Sequence, residues 1–357
     1  MRIADSHVHI RFTRYPEICR MLDDLAGVGV TDASLLALPY HGSSENLAAL
    51  YCKIKYDKIA LRAFGGLHLT DRYAMKPPEK VAAALLKMGC DGFKIMCAPS
   101  TRRYMRHGYD DPRYYDMFAL FEEKGTPINI HAADPEEFWD KGANYGDGSY
   151  PTKQQLYDEI FRVLDRHPGL RVVFAHFFFL SRMPEEAERV METYPNVRFD
   201  LTPGVEMYWN FDEKIDYWHD FFIKYQNRIL FGTDCNSMKK CNTELVKLVY
   251  RKLTESRDFF TQRCYGRDFT VRGLELPPET VERICYGNYI DFVGEEIKPV
   301  DTEMLCGCCE RILHDLESEP YDPIYLAGAE IADHLRNDPK QEIPAAFCRF
   351  ALDDLRG

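Results

Sequence analysis

The chain has 357 residues, 45% of them hydrophobic and 29% charged, which leaves room for one large α/β domain or two medium ones and is ordinary for a soluble globular enzyme. A formal net charge of −12 argues against nucleic acid or an anionic membrane surface as the main partner. The longest notable apolar run, "VVFAHFFFL", falls far short of the ~20 residues that span a bilayer, so no membrane partner is expected.

The first element reads as a strand, "RIADSHVHI". Its start at Arg2 leaves no room for a cleavable leader, so the expected location is the cytosol. Side chains alternate faces along a strand, so Asp5, His7 and His9 point the same way. A core strand would normally carry Val or Ile at such positions. Two readings stand at this point: a solvated or capping histidine pair, or two metal ligands whose companions come from elsewhere.

Ile18, Met21, Leu22, Leu25 and Val28 follow with the spacing of an amphipathic helix, and Gly29 is placed to end it. Further β-rich segments are "DASLLAL" near 35, "LRAFGGLHL" near 65, "GFKIM" near 94 and "PINIHA" near 130. They continue with "RVVFAH" near 174, "VRFDL" near 199 and "RILFGTD" near 231. Helical periodicity fills most gaps, as with Val81, Leu85 and Met88 after "KPPEK", and Leu156, Ile160, Val163 and Leu164 after "PT". Strand and helix alternate at roughly the ~30-residue step of a βαβ unit. Eight such units are what a closed (β/α)8 barrel requires.

The stretch from Asn236 to Leu276 is an insertion expected to hold one or two helices, ahead of a last helix, "PPETVERICYGNYIDFVG", that ends near Gly294. The expected fold is thus a distorted α/β TIM barrel over residues 1–294, with a charged helical C-terminal extension over 295–357. Twelve scattered cysteines read as free, reduced thiols. The C-x-x-C within Cys306, Cys308 and Cys309 lacks a second Cys/His pair at zinc-finger spacing.

In such a barrel the chemistry sits at the C-terminal ends of the strands. Those ends offer His7 and His9 on strand 1, His131 on strand 5, His176 on strand 6 and Asp234 on strand 8. Three imidazoles and a carboxylate suit a borderline divalent ion, Zn2+ first and Mn2+ second. Such an ion lowers the pKa of bound water to about 7. Asp234 is placed both to bind and to take the water's proton, and His176, if not a ligand, polarises the substrate or stabilises developing charge.

Taken together, "DSHVH", "NIHAAD", "FAHF", "ILFGTD" and "YGNYIDFVG" resemble the amidohydrolase superfamily. More narrowly, they resemble its amidohydrolase-related branch, which includes hydrolases and metal-dependent decarboxylases. The resemblance covers residues 1–294 and implies metal ligands at His7, His9, His131 and Asp234. It makes His176 either a ligand of a two-metal site or a catalytic residue of a one-metal site, and the one-metal arrangement is the one expected.

Some superfamily members carry a strand-4 lysine that is carbamylated and bridges two metals. Lys94 stands there, and the simpler reading gives it a substrate oxygen or a carboxylate to bind. The implied activity is hydrolysis of a small, carboxylate-bearing molecule, with decarboxylation on the same site as the alternative. Substrate contacts are expected from Lys94, from His68 at the end of strand 3, and from Arg102, Arg103 and Arg106 in "STRRYMRHGYDD". The competing reading pairs these arginines with Asp110 and Asp111 or turns them to water. Tyr208 and Trp209 after strand 7 read as loop packing. Homo-oligomerisation is left open.

Overall fold

Strand β1 (Ile3–His9) is buried along its whole length, although Asp5, Ser6, His7 and His9 are polar. Burial of so many polar groups demands partners, and the fold supplies them from the far side of a closed sheet. The computed structural model describes residues 2–11, 14–38, 44–67, 77–238, 242–318 and 342–357. His68, at the expected end of strand 3, lies outside the described residues.

The chain alternates strand and helix through α1 (Tyr15–Gly27), β2 (Val30–Leu36), α2 (Ser44–Lys55), β3 (Ala60–Gly66), α3 (Pro78–Met88) and β4 (Gly92–Cys97). Then come α4 (Pro99–Met105), α5 (Tyr115–Glu123), β5 (Pro127–Ala132), α6 (Lys153–Arg166), β6 (Arg171–Phe174), α7 (Pro184–Thr193) and β7 (Val197–Asp200). Helices α8 (Val205–Glu213) and α9 (Ile215–Lys224) precede two short strands, β8 (Ile229–Leu230) and β9 (Cys235–Asn236). The helices bury the stripes that their spacing dictates: Ile18, Met21, Leu22 and Leu25 in α1, and Leu156, Ile160, Val163 and Leu164 in α6. Helix α6 starts on a reciprocal cap between Thr152 and Gln155, which satisfies two amides that a helix start leaves orphaned.

The main sheet is parallel and ordered β8-β7-β6-β5-β4-β3-β2-β1-β9. Its two ends are one stretch of chain. Ile229 and Leu230 pair with β7, whereas Cys235 and Asn236 pair with Val8 and His9 of β1. Between them the Ser6 amide donates to the Phe231 carbonyl at 3.0 Å, and the Asp234 amide to the His7 carbonyl at 2.9 Å. Residues 229–236 therefore form a kinked eighth strand that closes the sheet along a seam with β1. The fold is a distorted TIM barrel.

The insertion departs from expectation in its second half. Helix α10 (Asn242–Thr254) is there, but a hairpin follows, β10 (Phe259–Cys264) against β11 (Arg267–Arg272). Phe260, Cys264, Phe269 and Val271 are buried while most of their neighbours are exposed, a period-two pattern that only a strand can satisfy. Tyr265 and Gly266 both have positive φ, 50° and 75°, as the tight turn between twisted strands requires.

The closing helix is split into α11 (Pro278–Glu282), a π-helical turn and α12 (Asn288–Val293), with Gly294 at its end. Beyond it, α13 (Thr302–Ser318) and α14 (Glu342–Arg356) lie on the outer face of α2. There the Tyr51 hydroxyl donates to Asp354 at 2.8 Å, and the Phe347 and Phe350 rings sit 5.9 and 5.5 Å from the Tyr51 ring. Among the described residues the cysteines are free thiols.

Candidate metal centre and active site

Each histidine of β1 has one ring nitrogen tied to an acceptor. His9 Nδ1 is 3.0 Å from the Leu36 carbonyl, which can only accept, so Nδ1 carries the proton and Nε2 the lone pair. His7 Nδ1 is 2.9 Å from Asp200 Oδ2, on a carboxylate that already accepts two backbone N–H groups, so the same assignment follows. The two lone-pair nitrogens then face each other, Nε2 to Nε2, at 2.9 Å. Burial drives both rings toward the neutral form, His7 well below the usual range and His9 down to about 3. With both Nδ1 atoms committed to acceptors, the two Nε2 atoms are free to share a cation. Asp234 completes the set, its Oδ1 3.4 Å from His9 Nε2 and 3.9 Å from His7 Nε2. One ligand atom from each of His7, His9 and Asp234 lies within 4.8 Å of the others.

The seam sets Asp234 in this position. Asp234 has a left-handed φ of 56°, which turns the chain between β8 and β9. Just before it, Thr233 donates from its hydroxyl at 2.6 Å and its amide at 3.2 Å to Asp5, whose carboxylate also takes the His7 amide at 3.1 Å. Burial pushes the Asp5 carboxyl up to about 7. Gly232 cannot carry a Cβ, which would stand 2.7 Å from Thr202 Oγ1. Asp5, the first residue of the "DSHVH" pattern, is thus a brace for the turn that presents Asp234.

His131 and His176 form the adjoining wall. The His176 ring is 5.4 Å from that of His7 and 4.8 Å from that of His131. His131 does not join the three-residue cluster: its Nε2 is 3.1 Å from the Ala133 carbonyl and 3.4 Å from Asp134. His176 gives its Nδ1 proton to the Thr202 carbonyl at 3.2 Å, and burial lowers its pKa to about 3. It opens a run of four left-handed residues, His176 to Phe179, with φ between 52° and 55°. Tyr157 holds the Phe178 carbonyl at 2.7 Å and Lys153 the Phe179 carbonyl at 3.2 Å.

Asp200 is absent from the residues singled out in the sequence. Its only signal there is a carboxylate at the last position of strand 7, where a barrel places chemistry. Lys94 faces the same barrel interior but donates to Asn129 Oδ1 at 2.5 Å, outside the His7, His9 and Asp234 cluster. Burial lowers its pKa to about 7, against the opposing pull of Asp200 and Asp234.

The arginines of the β4 loop divide. Arg102 Nε donates to both oxygens of Glu159, at 2.8 and 2.9 Å. Arg103 is exposed, 4.5 Å over the Tyr150 ring, and Arg106 is exposed at the left-handed end of α4. Asp110 and Asp111 pair with Arg162 and Arg113 instead. Tyr208 is buried and donates to the Leu201 carbonyl, whereas Trp209 is exposed and donates to the Thr270 carbonyl. A cavity of about 300 Å³ lies beside the site between Pro135, Lys153, Tyr157, Phe179, Arg182 and Glu206. Phe179 stacks on the His176 ring at 5.0 Å and so is a wall common to both.

A search of curated proteins finds no match. Among solved structures the chain is similar to an uncharacterised TIM-barrel protein from Bordetella bronchiseptica, at 17% identity and TM-score 0.54, over 82% of this chain and 98% of that one. It is similar to 4-oxalomesaconate hydratase from Rhodopseudomonas palustris, at 12% identity and TM-score 0.52, over 88% and 99%. A dihydroxybenzoic acid decarboxylase from Polaromonas, solved with bound manganese and 2-nitroresorcinol, matches at 11% identity and TM-score 0.50, over 82% and 96%. These likenesses show the barrel. The amidohydrolase family model matches residues 15–294, starting just after the strand that carries His7 and His9. This chain belongs to the amidohydrolase family and is an enzyme of that metal-dependent class.

Proposed function

We propose that the enzyme is a metal-dependent hydrolase of a small, carboxylate-bearing molecule. The observation that carries this reading is the convergence of His7 Nε2 and His9 Nε2, 2.9 Å apart, with Asp234 beside them. These three residues would hold a divalent ion, Zn2+ first by donor chemistry and Mn2+ second, as in the Polaromonas neighbour. When bound, such an ion supplies Lewis acidity and brings the pKa of coordinated water to about 7. Asp234, with 27% of its side chain exposed, accepts the proton of the attacking water. His176 is held neutral by burial and presents Nε2 as a hydrogen-bond acceptor to water or substrate. The substrate's carboxylate is assigned to Arg103 and Arg106, since Glu159 already holds Arg102.

Decarboxylation on the same centre is the second reading, and the fold shared with the manganese-bound decarboxylase is the observation in its favour. Metal analysis of the purified protein is expected to give about one ion per chain. A screen of lactones, amides and aromatic carboxylates, scored for both hydrolysis and CO2 release, then separates the two readings. Absence of a bound ion under non-chelating conditions overturns both.

A further inference from the structure

Asp200 is fully buried at the end of β7, and four donors converge on its carboxylate. Oδ2 lies 2.9 Å from His7 Nδ1 and 3.4 Å from Asn129 Nδ2. Oδ1 accepts the His176 amide at 2.9 Å and the Thr202 amide at 3.1 Å. The donors come from β1, β5, the turn after β6 and the second residue beyond β7 itself. A single carboxylate therefore touches the ligand strand and the first residue of the left-handed turn that carries His176.

We propose that Asp200 is a positioning residue that fixes the tautomer of His7 and, through its other oxygen, the placement of His176. The proposal rests on the reading of His7 as a ligand. An imidazole has one proton to place, and whichever nitrogen keeps it cannot bind an ion. The carboxylate at 2.9 Å holds that proton on Nδ1 and so leaves the Nε2 lone pair turned toward His9 and Asp234. The same residue anchors a turn whose backbone no sheet or right-handed helix would stabilise. Lys94 reaches toward it through Asn129, which accepts from Lys94 Nζ and donates to Asp200 Oδ2.

Asp200→Asn keeps the shape and removes one acceptor. The amide oxygen retains the two backbone N–H groups, because the reverse orientation would leave both facing an NH2 in a buried site. The NH2 then points at His7 Nδ1 and donates to it, which drives the His7 proton onto Nε2. In the metal-free, 15N-labelled wild-type protein, long-range proton–nitrogen spectra of the imidazoles are expected to show His7 protonated at Nδ1. Asp200→Asn is expected to show the Nε2–H form, with Zn2+ affinity, measured by chelator competition, lower by roughly 10–100-fold and a melting temperature close to the parent's. The proposal is overturned if Nδ1 of wild-type His7 carries no proton. It is also overturned if the variant keeps the Nδ1–H form and binds Zn2+ within twofold of the parent. Should the variant fail to fold, the wild-type spectrum alone decides. A wild-type protein that takes up no Zn2+ at all sinks the metal reading, while the tautomer is still read from the same metal-free spectrum.

Discussion

His7 Nε2 and His9 Nε2 stand 2.9 Å apart, and if each Nδ1 keeps the ring's proton for its acceptor, two lone pairs meet there and call for a cation. Replacing His9 with Asn is expected to cut metal content well below one ion per chain. His176→Asn, outside the cluster, should keep metal content near the parent's while turnover falls by roughly 100-fold or more; loss of metal with activity would instead make His176 a ligand. Elsewhere in the interior, Glu45 accepts the Leu38 amide at 2.7 Å, and burial pushes its carboxyl from 4.5 up to about 8. The folded protein thus keeps a proton that the unfolded chain has released above pH 4.5, and stability falls as pH rises from about 5 to 8. Urea midpoints of the wild type, relative to Glu45→Gln, are expected to drop across that window by the equivalent of a few kcal/mol. Parallel profiles for the two proteins would refute the buried, protonated carboxyl. At this scale much was legible: His7 and His9 announce themselves because polar side chains at alternate positions of a buried strand need a reason. Asp200 did not, because an aspartate ending a strand looks like any turn residue until the sheet closes and brings β7 across to β1.

Among the elements, the turn His176–Phe179 is the least expected from sequence, since "FAHFFFL" reads as a plain apolar run. Left-handed backbone costs roughly 1–2 kcal/mol per residue outside glycine. The offset is burial: Phe177 and Phe178 are fully buried, Phe177 packs among Phe199, Phe211, Trp218 and Phe222, and Phe178 stacks on Phe174 at 3.8 Å. Each buried Phe contributes about 1.5–3 kcal/mol. The Tyr157 hydroxyl is one of the pins that hold this backbone. Tyr157→Phe should cost about 1–3 kcal/mol in thermal or urea unfolding, by leaving a buried carbonyl unpaired. It should also lower turnover with metal content unchanged; an unaltered rate would show that the turn does not depend on this contact to place His176. The β10–β11 hairpin was readable in principle, from the alternation in "FFTQRC" and "RDFTVR" around "YG". It was obscured because helix-length gaps elsewhere in the chain do hold helices.

On the scale of the whole molecule, the eightfold alternation made the barrel legible, whereas the docking of α13 and α14 on α2 depends on contacts between distant segments that no local pattern encodes. Phe347 is buried there beside Tyr51. Phe347→Ala is expected to lower stability by about 3–5 kcal/mol with little change in turnover, since the contact lies on the barrel's outside. The seam has a larger consequence. His7 and His9 stand on one side of it and Asp234 on the other, so an ion shared by the three bridges the line along which the barrel is closed. At a free ion concentration 100 times Kd, its binding adds about 2.7 kcal/mol to the folded state. Amide hydrogen exchange at Ser6 and Asp234, the seam's own donors, should then slow by up to roughly 100-fold on metal addition, and equal rates with and without metal would show the seam to be indifferent to it. Catalytic competence and resistance to degradation become one equilibrium. A cell short of the ion is expected to lose this enzyme to proteolysis rather than store it as idle apoprotein.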